Sequence, residues 1–385
     1  MRLDNLKKYY FILLLIFLMH AQLMAVDSYR FLKKLEEPTP EWMTEQIEHN
    51  LRSFKKELSC QYLDQFFEKY AHSMGLIRVK VFKGQLFFDG TDKSLADSYT
   101  EKFLTPLKKM HEMSPLPDMD FIFTRFDIPY YYHQCSSNNP LPGFKYALFC
   151  RAKDRFDDRI ILMPDMYALN GYEPDKSQIF EGRERMRNSW KSKHQILFFR
   201  GADNGAFDRA HWRLCARPAL VALSLKNPDL IDARFNYLIR WWDKDSSIAD
   251  LMVKEGMMGN FIPLNEFSRY RYLIDIDGHT ANTPRTALFL YSGSVLFKQV
   301  TDNILWFYSQ LKPYVHYIPV SKDLSDICDQ IKWAKKHDAE CEEMVDRAYA
   351  LAEEILSPEC VYLYFYRLLE AYSRKQRNYY HRLKE

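Results

Sequence analysis

The seven cysteines (Cys60, Cys135, Cys150, Cys215, Cys328, Cys341 and Cys360) include no C-x-x-C pair, the spacing that zinc ribbons and thioredoxin-like centres need. G-x-S-x-G and H-E-x-x-H are also missing, so serine-hydrolase and zincin chemistry find no support. Excess charge of one sign is lacking: 54 Lys plus Arg stand against 51 Asp plus Glu, and a formal charge of +3 is too balanced for a dedicated nucleic-acid binder. Repeats and low-complexity segments are absent as well, which removes solenoid architectures.

What is present is globular. The 385 residues are 47% hydrophobic, 16% aromatic and 27% charged, enough for two domains with full cores. Residues 1–26 stand apart. Lys7 and Lys8 precede the apolar run Phe11 to Met19, and Leu23-Met24-Ala25 resembles a small-residue cleavage site. The run is shorter than the roughly 20 residues of a spanning helix. A cleaved signal peptide is therefore expected, with a signal anchor or a buried helix as the other readings. A signal or anchor implies the secretory pathway, the periplasm or membrane association. In such a compartment some cysteines can pair, with at least one left over; the competing reading is buried free thiols.

The chain is organised around Arg269 to Gln299. Leu273 to Ile276 reads as a buried strand, Asp277-Gly278 breaks it, and Thr283-Pro284 starts a helix that places Arg285 in its first turn. Gly293 stops that helix and Ser294 to Phe297 reads as the next strand. Backbone N–H groups, a helix dipole and a guanidinium thus meet in one loop, the combination a phosphate-bearing ligand requires, although an ordinary crossover with a solvated arginine has the same pattern. A second strand, Gln195 to Phe199, runs into Arg200-Gly201-Ala202-Asp203-Asn204-Gly205, whose glycines allow close backbone approach. Trp212 to Ser224 reads as largely helical, with Arg213 and Arg217 one turn apart on one face.

Upstream, Glu41 to His72 has helical spacing, Ile77 to Phe88 reads as a hairpin turned at Lys83-Gly84, and Tyr99 to Met110 reads as a helix kinked or restarted at Pro106. Asp127 lies just past the strand Phe121 to Thr124, where open α/β sheets place their ligands; it is either a general base or a turn carboxylate paired with Arg125. Tyr130 to Gly143 reads as a tyrosine-rich loop able to contact sugar or peptide. Downstream, Trp306 to Leu311 reads as helical, and Asp323 caps a helix with Leu324, Ile327, Ile331 and Ala334 on one face. Two more helices follow, and Tyr362, Tyr364 and Tyr366 point either to a membrane or to a helix laid back over the core.

Four segments in this order resemble glycosyltransferase family 90: FFRG at Phe198 to Gly201, LKNPDLIDA at Leu225 to Ala233, SGSVLFK at Ser292 to Lys298 after the arginine-bearing helix, and QLKPYVHYIPVSKDLSDI at Gln310 to Ile327. The resemblance implies a GT-B architecture, two Rossmann-like domains with a cleft between them and C-terminal helices packing back. It places an acceptor-side domain at 27–185 and a nucleotide-sugar-binding domain at 186–385. It further implies a UDP-sugar donor, inversion, no metal requirement, and transfer of a hexose or pentose, glucose or xylose, to a glycan such as lipopolysaccharide or capsule, or to Ser/Thr of a protein. The family's base falls on Asp127, with Thr124 and Phe126 standing where an asparagine and an arginine are expected. Donor contacts fall on Arg200, Gly201 and Arg285, with Gly278, Arg213 and Arg217 as further candidates.

Three rivals are separable. Asp275-x-Asp277 and Asp118-x-Asp120 match the D-x-D of metal-dependent transferases. Paired carboxylates suit a hydrolase, which predicts no affinity for a uridine nucleotide. A non-catalytic glycan-binding protein on the same fold binds without turnover.

Overall fold

The computed structural model of the chain describes residues 27–54, 60–127, 147–205, 210–239 and 246–376, with backbone alone for 60–62. The N-terminal apolar run, the Tyr130 to Gly143 loop, and Cys135 lie outside the described residues, as does the Cys60 side chain. Strands and helices alternate in the α/β class expected. Helices α1 (Ser28–Glu36), α2 (Glu41–Leu51) and α3 (Cys60–Tyr70) precede the hairpin β1 (Leu76–Phe82) and β2 (Gln85–Asp89). Lys83 and Gly84 both take positive φ there, as a two-residue hairpin turn demands. Then come α4 (Asp92–Leu95), α5 (Ser98–Met113), β3 (Met119–Thr124), β4 (Leu148–Cys150), β5 (Ala152–Asp154), β6 (Ile160–Leu162), α6 (Met166–Leu169) and α7 (Asp175–Arg185).

The first sheet has the order β2-β1-β3-β4-β6, antiparallel on the hairpin side and parallel from β3 to β6. Its residues alternate between two cores. Ile77, Val79, Phe121 and Phe123 face the large one, whereas Leu76, Ile122, Leu148 and Ile160 pack with Leu63, Phe66 and Phe67 of α3. Helix α5 runs through Pro106 without a break. The proline has no N–H for the Lys102 carbonyl four residues back, and the Asn170 side chain donates to it instead at 2.7 Å.

The second half contains β7 (His194–Ala202), α8 (Ala216–Lys226), β8 (Ile231–Tyr237), α9 (Ser247–Lys254), β9 (Tyr270–Asp275), α10 (Arg285–Tyr291), β10 (Val295–Gln299), β11 (Asn303–Leu305), β12 (Ile318–Val320), α11 (Ile327–Lys336), α12 (Asp338–Ile355) and α13 (Pro358–Arg374). Its sheet is parallel throughout, ordered β12-β10-β9-β7-β8. From β7 the chain steps through α8 to β8 in one direction. From β9 it steps through α10 to β10 and on to β12 in the other. The strand order therefore reverses between β7 and β9, and α8 and α10 cover opposite faces: Leu220 and Val221 pack with Phe199 and Ile274, Leu288 and Phe289 with Phe198 and Leu273.

The halves are joined by an antiparallel ribbon of β11 on β5 and by α13, which returns to the first sheet. Tyr362, Tyr364 and Tyr366 are buried in that helix, and Tyr372 donates to the Asp120 carbonyl at 3.2 Å. Among the described residues no helix is long and apolar enough to cross a membrane. Cys150, Cys215, Cys328, Cys341 and Cys360 are free thiols.

Three expectations are corrected. Cys215 is extended and separates a 3-10 turn at Trp212–Leu214 from α8, so Arg213 and Arg217 do not share a helix. Only Tyr308–Gln310 of the Trp306 to Leu311 stretch is helical, as a 3-10 turn. Helix α11 starts at Ile327 rather than after Asp323, whose carboxylate accepts from Ser325 in the preceding turn.

Candidate active site

The carboxyl ends of β7 and β9 meet at the point where strand order reverses, the place where open α/β sheets hold ligands. Two arginines reach it from helices on opposite faces. Arg285 opens α10, and its Nη2 donates to the Arg200 carbonyl at 2.6 Å. Arg217 lies in the first turn of α8, where Pro218 is tolerated, and donates to the carbonyls of Ala202 (3.0 Å), Asp277 (3.2 Å) and Ile276 (3.5 Å). Both guanidinium groups sit over the Phe199 ring, at 5.2 and 5.9 Å from its centre.

Glycine is needed here for close approach. A Cβ on Gly201 would stand 2.8 Å from Nη2 of Arg285, and one on Gly278 would stand 2.9 Å from Nη2 of Arg217. Among the described residues the two guanidinium groups donate only to backbone carbonyls. Burial lowers the proton affinity of both, and Arg217, which also feels the Arg285 charge, is pushed down to about 9. Among the described residues neither guanidinium is ion-paired, although the charges of Asp203, Asp275 and Asp277 reach Arg217 and those of Asp275 and Asp175 reach Arg285. Around them, Nε of Arg200, Oδ1 of Asn204, Oδ1 of Asp275, Oγ1 of Thr280, Nδ2 of Asn282 and Nη1 of Arg285 are buried without hydrogen-bond partners among the described residues. Buried polar atoms are seldom left this way, and here they crowd two adjoining loops.

Arg200 is placed differently. Arg200 remains within β7, which continues through Ala202, and its guanidinium lies over Phe198 and pairs with Asp232 at 2.8 Å. Its carbonyl, rather than its charge, anchors Arg285. Arg213 is half exposed, lies over Trp212 and pairs with Glu255. Asp275 accepts from Thr286, whose hydroxyl is 2.7 Å from that of Tyr308; Asp277 accepts from Thr301 at 2.6 Å and Asn303 at 2.8 Å. Asp120 is bound to Arg78 in the first sheet.

Asp127 follows β3, with 43% of its side chain exposed. It is ion-paired, but not with Arg125, which is bound to Asp97 at 2.5 Å. Its partner is Arg151, directly after β4, and the Cys150 thiol donates to the Asp127 carbonyl at 3.6 Å. The buried Asp165, after β6, lies within electrostatic reach of Arg151. It also reaches the other half: the Asp165 charge, with those of Asp275 and Asp277, adds to burial in raising the Tyr308 hydroxyl. Asp175, which opens α7, and Arg285 likewise feel each other. Asp165 and Asp175 of the first half are thus within electrostatic reach of Tyr308 and Arg285 of the second.

The family model described as Glycosyl transferase family 90 matches residues 37–383. The chain belongs to that family. Among its relatives, Protein O-glucosyltransferase 3 of Rattus norvegicus is 28% identical over 269 residues, 68% of this chain and 48% of the relative. Protein O-glucosyltransferase 2 of Danio rerio is 25% identical over 336 residues, 86% of this chain and 62% of the relative. Protein O-glucosyltransferase 1 of Homo sapiens is 30% identical over 185 residues, 48% of this chain and 43% of the relative. The chain thus spans about half the length of the curated relatives it matches.

Within this family 90 member, FFRG falls in β7, while LKNPDLIDA ends α8, makes the turn and begins β8; the two strands are neighbours in register from Leu197↔Ile231 to Gly201↔Phe235. That register is what brings Asp232 to Arg200. Arg151 carried no signal in the sequence, because it follows a strand of only three residues, whereas Arg159 to Asp165 does read as a short strand entering a loop.

Proposed function

We propose that this chain transfers a hexose or pentose, glucose or xylose, from a UDP-sugar to an acceptor hydroxyl, with inversion and without a metal ion, on a GT-B arrangement of acceptor-side (27–185) and donor-side (186–385) domains. One observation carries this reading: two buried guanidinium groups, with no carboxylate ion partner among the described residues, at the switch point of a doubly wound sheet. A diphosphate matches their charge. Asp127 takes the acceptor hydroxyl proton as that oxygen bonds to the anomeric carbon. The bond from this carbon to the diphosphate breaks, and its electron pair leaves on UDP, where Arg285 and Arg217 stabilise the new charge. Arg200 and Gly201 shape the same loop, Gly278 admits Arg217, and Arg213 has no part in our reading.

The acceptor we favour is a glycan such as lipopolysaccharide or capsule. A Ser/Thr hydroxyl of a protein is the second reading, supported equally by the relatives' names. A glycan-binding protein without turnover is the reading of another class. We place the protein in an exported compartment, or at a membrane through residues 1–26. UDP release from UDP-glucose, UDP-xylose and UDP-galactose, with and without EDTA and with glycan or folded-protein acceptors, tests these statements together. Acceptor-stimulated release that survives EDTA is expected. Binding of UDP without turnover of any donor would favour the glycan-binding reading, and no affinity for UDP would favour a hydrolase.

A further inference from the structure

Arg151, directly after β4, is ion-paired through one Nη with Asp127 after β3 and lies within electrostatic reach of Asp165, which follows β6 and caps α6 by accepting from the Tyr167 and Ala168 N–H groups. The side chain is 13% exposed, and its Nε has no partner among the described residues. The other titratable groups facing it are Tyr167 of α6 and Tyr99 of α5. Burial lowers its proton affinity, and the Asp165 charge opposes that. Next to it, the fully buried Cys150 fixes the Asp127 backbone through its thiol.

We propose that Arg151 is the positioning residue for Asp127, holding its carboxylate ionised and in a single orientation while Asp165 serves as the counter-charge once Asp127 has taken a proton. This rests on the assignment of Asp127 as the base. An ionic partner weakens a base, so the pairing is a compromise. It gives up some proton affinity to keep the group deprotonated and aimed, and an arginine neighbour typically holds an aspartate about one to three pH units below its isolated value. Asp165 resolves the difficulty that follows. Without it, protonating Asp127 would leave a buried guanidinium with no counter-charge, which is costly.

The test uses Arg151→Met, Arg151→Lys and Asp127→Asn in the full chain, with two readouts. The first is the pH titration of ¹³C-labelled aspartate carboxyls by NMR, Asp127→Asn identifying the signal. The second is UDP release from UDP-glucose against pH. We expect Arg151→Met to raise the Asp127 midpoint by about one unit or more, and to move the acidic limb of turnover by the same amount. UDP affinity should stay within twofold, and Arg151→Lys should restore part of the shift. An Asp127 midpoint that does not move in folded Arg151→Met overturns the proposal, with or without measurable turnover. Wild-type turnover in Asp127→Asn, by contrast, overturns the base assignment and leaves the ion pair standing.

Discussion

Arg285 keeps one buried donor without an acceptor among the described residues, and a buried charge in that state costs free energy unless a ligand completes it. Arg285→Met should therefore raise the midpoint of thermal unfolding of the ligand-free protein while weakening UDP. The loss should be about 1.5 to 3 kcal/mol, the range for hydrogen bonds to charged groups, measured by calorimetry. A fall in both quantities would mean that the arginine is structural. Lys193 makes an opposite kind of prediction at the far end of the sheet. Its ammonium donates to the Gly293 carbonyl and to Ser294 Oγ, and burial, then Arg271 and Arg183, push it down to about 7 from 10.5. Between those two pH values the unfolded chain keeps a proton that the folded one has lost, so stability should rise with pH through that window. Below pH 7 both states are charged and the burial penalty is present in full. Denaturant midpoints at pH 6.5 and 9.5 check this, and Lys193→Met should flatten the difference. Arg285 was legible because proline and a polar loop mark the helix start. The partners of Arg200 and Asp127 were not, since Asp232 and Arg151 arrive by strand register, which local pattern does not encode.

Among the elements, α13 returns to the first sheet and packs into its core. Asn50 of α2 donates to the Leu162 carbonyl at 3.1 Å and to the Tyr364 hydroxyl at 3.0 Å, joining α2, β6 and α13 inside the core. Tyr364→Phe removes that acceptor and leaves a buried amide N–H unpaired. It should cost about 1 to 3 kcal/mol in urea unfolding with an unchanged slope; a loss below about 0.5 kcal/mol would show that the network is not satisfied as described. The tyrosines of this helix were read in the sequence as either membrane-facing or core, and their burial decides for the core. Other boundaries escaped the sequence for local reasons. Pro106 is harmless because Asn170 takes the Lys102 carbonyl, a contact 68 residues away in the chain. Cys215, with no breaker signal of its own, turns extended and parts Arg213 from Arg217.

For the molecule as a whole, the second sheet was the more legible, since four family segments fall on or beside its strands. The first sheet mixes antiparallel and parallel pairs, and its three-residue strand β4 is too short to show a period. What the account asserts of the whole is that a carboxylate at the end of one sheet and a cationic pocket at the end of the other act on a single bound donor. Asp127→Asn measured for UDP binding and for sugar transfer in the same preparation tests this most directly. The account predicts wild-type affinity for UDP with transfer reduced by at least a hundredfold, on the scale of a lost general base. Transfer at the wild-type rate would contradict it.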